Sequence, residues 1–167
     1  MTVLVSAYVG LGSNLESPRE QITSALAALN GLPETAVRRC SCLYRSAPVG
    51  YAAQPDFVNA VARLQTGLSP RELLDALLAI EGAHARTRDL RNGPRTLDLD
   101  LLIHGDACID EAGLQVPHPR LSERAFVVVP LAEIAPALVL ADGRAVGELA
   151  KRLAATQRIE RMEDGLA

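Results

Sequence analysis

Thr96-Leu97-Asp98-Leu99-Asp100-Leu101-Leu102-Ile103 alternates aliphatic residues with carboxylates, then becomes wholly apolar. Period-two alternation marks a strand with one buried face. It sets Leu97, Leu99 and Leu101 against a core and places Asp98 and Asp100 side by side on the opposite face. Upstream, Leu73, Leu74, Leu77, Leu78 and Glu81 recur at helical spacing. They follow Ser69-Pro70-Arg71-Glu72, a capping box with proline at the first helical position. Residues 57–65 read as another strand, with Val58, Ala60, Ala62 and Leu64 on one face and Phe57 and Asn59 on the other. Residues 37–45 read as a strand before it.

Toward the N-terminus the pattern repeats. Ser17-Pro18-Arg19-Glu20 has capping-box form, Ile22, Ala25, Leu26 and Leu29 follow at helical spacing, and Gly31 and Pro33 stop the helix. Residues 3–11 read as the first strand. The order is β-α-β-β-α-β, an α+β, ferredoxin-like pattern: an antiparallel sheet with helices on one face and the other face open for function. Downstream, a helical piece at 122–133, a hairpin at Asp142-Gly143 and a last helix at 146–157 are predicted. Residues 1–160 are expected to form a single domain, and the polar tail after Ile159, up to residue 167, is expected to fray.

Composition narrows the function classes. Of 167 residues, 49% are hydrophobic, which suits an ordered core. The net charge of −3 argues against a general nucleic-acid binder. Cys40, Cys42 and Cys108 are odd in number and lack zinc spacing, so they read as small buried hydrophobes in a reducing compartment. Residues 125–140 are apolar but broken by Pro130, Glu133 and Pro136, so no membrane span is expected. With no signal-peptide pattern at the N-terminus, the expected location is cytoplasmic.

Asp98 and Asp100 are the sharpest chemical signal. Adjacent carboxylates repel unless a cation lies between them, and Mg²⁺ favours one or two carboxylates completed by water and phosphate oxygens. Asp-x-Asp alone fits a solvated strand edge equally well. Arg86, Arg88, Arg91 and Arg95 in the long connection 82–95 suit a metal-bound polyphosphate, although a solvated basic loop has the same composition. Val116-Pro117-His118-Pro119-Arg120 carries a histidine able to donate to phosphate, with Arg124 and Phe126 just beyond. Phe57 can stack on a planar ring and Asn59 can read a ring edge; ordinary packing and a surface amide are the plain alternatives. Gly10-Leu11-Gly12-Ser13-Asn14 lacks the third glycine of a dinucleotide fingerprint and the lysine of a P-loop. It reads as a strand-to-helix turn. His84 and His104 have no partners at metal spacing.

Several of these segments together resemble the 6-hydroxymethyl-7,8-dihydropterin pyrophosphokinase family. They are Tyr8-Val9-Gly10-Leu11-Gly12-Ser13-Asn14-Leu15, Tyr44-Arg45-Ser46, Gln54-Pro55-Asp56-Phe57-Val58-Asn59, Gly93-Pro94-Arg95-Thr96-Leu97-Asp98-Leu99-Asp100, Val116-Pro117-His118-Pro119 and Arg124-Ala125-Phe126. The resemblance implies transfer of diphosphate from Mg-ATP to the pterin hydroxymethyl group. It implies that Asp98 and Asp100 ligate two Mg²⁺ ions. Phe57 and Phe126 would sandwich the pterin, Asn59 would read its polar edge, and Ser46, Ala47 and Val49 would complete that pocket. Glu81, Arg86, Arg88, Arg95, His118 and Arg124 would contact ATP, with Arg86 and Arg95 most tied to transfer. The implied partners are these two small molecules, with no nucleic acid or membrane, and the expected state is a monomer. Competing readings are a non-catalytic pterin or nucleotide-binding module, an RNA-binding domain of the same topology, and a two-metal nuclease.

Overall fold

The computed structural model describes residues 3–14, 17–47, 56–85 and 97–162. Its elements are β1 (Val5–Ser13), α1 (Pro18–Asn30), β2 (Thr35–Cys40), β3 (Tyr44–Ser46), β4 (Phe57–Thr66) and α2 (Pro70–Ala85). There follow β5 (Asp98–His104), β6 (Ile109–Glu111), β7 (Leu114–Val116), a 3-10 turn at Leu121–Glu123, α3 (Ala125–Ile134), α4 (Val146–Ala154) and β8 (Ile159–Arg161). The main sheet runs β5-β1-β4-β3-β8, with β2 also on β4. Each of these pairings is antiparallel. The predicted β-α-β-β-α-β core is therefore present, with β4 at the centre of the sheet, flanked by β1 on one side and by β2 and β3 on the other.

Strand alternation divides the apolar residues into two cores. Ala7, Val9, Leu11 and Leu64 face α1 and α2, meeting Ile22, Leu29, Leu73 and Leu77, all at most 2% exposed. On the other face, Tyr8, Val61 and Leu102 pack with Leu121, Val128, Leu131 and Leu149 from the C-terminal elements. The face expected to be open is thus partly roofed by α3 and α4. The end near Phe57, Asn59, Asp98 and Asp100 opens instead into cavities, and the roof beside it gives the site its walls.

Several local expectations are corrected. The strand predicted at 37–45 splits into β2 and β3. Between them the Ser41 hydroxyl accepts the Val61 N–H at 3.0 Å, taking a place a backbone carbonyl would fill in a regular ladder. The Cys42 N–H turns away to the Glu133 carboxylate at 3.1 Å. Cys40 and Cys42 are consequently half-buried, and Cys108 is exposed, so none is a fully buried hydrophobe. The Ser69 capping box forms in both directions, at 2.8 and 3.1 Å, whereas Ser17 adopts a left-handed backbone (φ 55°) and makes no side-chain cap. The hairpin β6–β7 was not anticipated, and the one expected at Asp142-Gly143 reduces to a single bridge, Val139 to Ala145. The segment after Ile159 does not fray at once: β8 pairs with β3, and the Met162 N–H donates to Leu43 O at 2.9 Å.

Candidate active site

The floor of the site is β1. Gly12 lies opposite Asn59 on β4 and Asp98 on β5, and Gly10 lies opposite Val61 and Asp100. These glycines occupy the Tyr8 face of the strand, leaving a trough between the Phe57/Asn59 side and the aspartate side. A Cβ on Gly12 would come within 3.0 Å of Asn59 Nδ2, so the bare backbone is what admits the amide. The reading of Gly10–Asn14 as a turn is corrected, since β1 runs through to Ser13. Glycine at every second position of a strand was the available signal, because it marks close approach over one face.

Two cavities open on this trough. The first, about 610 Å³, is lined by Ser46, Ala47, Phe57, Asn59, Arg124 and Phe126 among others. Within it the Ser46 hydroxyl donates to Asn59 Oδ1 at 2.6 Å, and both residues are buried. The Arg124 guanidinium carbon lies 5.5 Å from the Phe126 ring centroid, within cation–π range, and covers one face of that ring. The second cavity, about 820 Å³, is lined by Leu74, Leu78, Glu81, His118 and Pro119 along with the β6–β7 turn. Asp98 and Asp100, both half-buried, line the first cavity and the second. Among the described residues no other side chains belong to both.

Glu81 reaches from α2 to accept the Leu99 N–H at 2.7 Å, between the two aspartates. That bond fastens the outer edge of β5 to the helix. His118 is held by its own N–H on Leu102 O at 2.9 Å, just after the cis Val116–Pro117 bond. Its Nδ1 accepts the Arg120 N–H at 3.1 Å, so in the neutral ring the proton sits on Nε2. Burial holds the His118 pKa below its ordinary value; Asp100 opposes that shift, and Arg124 and Arg120 reinforce it. His104 is structural, bonded to Leu68 O at 2.8 Å, and His84 bonds Ile80 O and Ser24 Oγ. Val49, Arg86, Arg88, Arg91 and Arg95 lie outside the described residues.

Residues 8–136 match the family model described as 7,8-dihydro-6-hydroxymethylpterin-pyrophosphokinase. The chain belongs to this family. A Pseudomonas aeruginosa 2-amino-4-hydroxy-6-hydroxymethyldihydropteridine pyrophosphokinase is 57% identical over 142 residues, covering 85% of this chain and 88% of the relative. The Haemophilus influenzae enzyme of the same name is 46% identical over 151 residues, covering 90% and 94%. The crystal structure of a Plasmodium falciparum HPPK-DHPS superposes with a TM-score of 0.75 at 13% identity, covering 93% of this chain and 46% of that one. At that identity the likeness concerns the fold.

Family membership makes the chain a pyrophosphokinase, a transferase of folate biosynthesis with ATP as co-substrate. No helix among the described residues is long and apolar enough to cross a membrane. No cluster of three or more histidine, cysteine or acidic residues arranged to hold a metal occurs among the described residues. The carboxylate pair over a glycine floor fits Mg²⁺ that arrives with phosphate and water ligands rather than a closed protein cage.

Proposed function

We propose that the chain transfers the β,γ-diphosphate of ATP to the hydroxymethyl oxygen of 6-hydroxymethyl-7,8-dihydropterin, releasing AMP. The observation that carries this reading is the position of Asp98 and Asp100, shared by two cavities of different character. One offers aromatic rings and a fixed amide, suited to a flat heterocycle. The other offers His118, aliphatic side chains and the carboxylates Glu81, Asp110 and Glu111, and would take the nucleotide together with its bound cations. Transfer between two bound molecules needs its charged centre where their sites meet.

In this reading Phe57 and Phe126 hold the pterin ring between them, and Asn59 reads its polar edge. Ser46, with the backbone near Ala47 and Val49, forms the wall. Glu81, Arg86, Arg88, Arg95, His118 and Arg124 serve the ATP side. Arg124 lies over Phe126 and lines the first cavity. The His118 Nε2–H is free of the Arg120 bond and suited to donate to a phosphate oxygen. Two Mg²⁺ ions held by Asp98 and Asp100 would neutralise the triphosphate and favour attack at the β-phosphorus. Arg86 and Arg95 would absorb charge as the bond to AMP breaks. Residues 1–160 would act as a single domain. The chain would act as a monomer, and the need for ATP supports a cytoplasmic setting.

The direct test incubates the protein with ATP, Mg²⁺ and the hydroxymethyl dihydropterin and separates the products. AMP and pterin diphosphate in equal amounts are expected. ADP as the product, or AMP formation independent of the pterin, contradicts the reading. Pterin binding with no AMP would instead mark a non-catalytic module.

A further inference from the structure

Gln157 lies outside residues 8–136, the stretch matched by the family model, yet it lines the first cavity. Two neighbours hold it in place. On one side its own N–H donates to Leu153 O at 2.9 Å, closing the end of α4. On the other, Ile159 pairs with Ser46 of β3, in the wall that carries Asn59's hydrogen-bond partner. The Gln157 side chain then crosses to the opposite wall. Its Oε1 accepts the Ala125 N–H at 2.9 Å, and its Nε2 donates to Glu123 O at 2.8 Å.

Those two bonds bracket the start of α3. Arg124, the N-cap residue, supplies no side-chain cap of its own, so the Gln157 carbonyl meets a first-turn N–H that would lack an intrahelical partner. Ala125, the residue so held, sits between Arg124 and Phe126. Both of its neighbours face the first cavity. A single amide therefore fixes where α3 begins, and with it the direction of the Phe126 ring and the guanidinium above it.

We propose that Gln157 is a positioning residue for the pterin site, tying the Phe126 wall to the Ser46–Asn59 wall through the C-terminal segment. This rests on the function proposed above. Gln157 touches no reacting atom, and its effect passes through Phe126. A shift of about 1 Å in a stacking ring weakens ligand binding before it affects nucleotide binding in the neighbouring cavity.

The test compares wild type with Gln157→Ala and Gln157→Glu by steady-state AMP release, varying each substrate in turn, with thermal melts of all three proteins. Gln157→Ala is expected to raise the pterin KM about tenfold, with the ATP KM within about twofold. Gln157→Glu keeps the acceptor for Ala125 but loses the donor to Glu123, so its pterin KM should lie between the other two. A pterin KM unchanged in both variants, or both KM values rising in parallel with a lowered melting temperature, overturns the proposal. Should Gln157→Ala fail to fold, the Gln157→Glu split between the two KM values decides. Absence of AMP release from wild type counts against the function itself, whereas wild-type turnover with unaltered pterin KM in the variants counts against Gln157 alone.

Discussion

Asn59 is oriented before any ligand arrives. Ser46 donates to its Oδ1, and its Nδ2 lies over the bare backbone of Gly12. An alanine at position 12 puts a methyl carbon 3.0 Å from that nitrogen, so the amide must rotate or retreat. Gly12→Ala should therefore weaken pterin binding by about tenfold, the scale of one misaligned buried hydrogen bond. ATP-analogue binding should change little, and calorimetry with each ligand checks the difference. At this scale the sequence was legible where chemistry is local: Asp98 and Asp100 share a face because a strand has period two. It was not legible for Gln157, whose partners are 32 and 34 residues away, nor for the glycine floor, which acquires meaning only once β4 and β5 flank it.

Two helices open on the same apparent signal with different outcomes. Ser69 and Glu72 exchange both capping bonds, and the carboxyl of Glu72 is held below its ordinary pKa by the Ser69 backbone and hydroxyl bonds. Ser17 instead takes a left-handed backbone and leaves its hydroxyl out of the cap. Ser69→Ala should therefore cost about 1 kcal/mol. In a chain of this size that is a fall of about 2–4 °C in melting temperature. Ser17→Gly should not destabilise, because glycine accepts that backbone without steric cost. Equal losses in the two melts would contradict the distinction. Sequence spacing alone does not separate the two boxes, because it carries no information on φ at the cap residue. The same limit explains the divided second strand: nothing local to residues 41–43 announces that Ser41 will bond Val61 or that Cys42 will turn to Glu133 on α3.

Across the whole molecule, Glu133 ties α3 to the sheet. The Tyr44 hydroxyl donates to it at 2.6 Å and the Cys42 N–H at 3.1 Å. Burial raises the Tyr44 pKa, and the bond to Glu133 adds to it. The Cys40 thiol is pushed up to about 11, first by burial, then by the nearby Glu133 and Cys42. A thiol whose pKa is raised on folding contributes stability that is complete below its unfolded value near 9 and lost as pH climbs toward 11. The melting temperature should accordingly decline between pH 9 and 11, and the decline should be shallower in Cys40→Ala. Parallel declines in both proteins would remove Cys40 from the account. The global fold was the most legible level, since period-two and helical patterns predict the order from β1 to β5, with β2 and β3 read as one strand. The roof formed by α3 and α4 was not, because their apolar residues do not say which face of the sheet they will cover.

The central claim is that Asp98 and Asp100, where the two cavities meet, carry the transfer. Rapid-quench measurement of AMP formation by Asp98→Asn and Asp100→Asn, with pterin binding followed in parallel, tests it most directly. A rate lower by at least about 100-fold in each variant, with pterin affinity kept within a few-fold, is the predicted result. Rates close to wild type in both would contradict it.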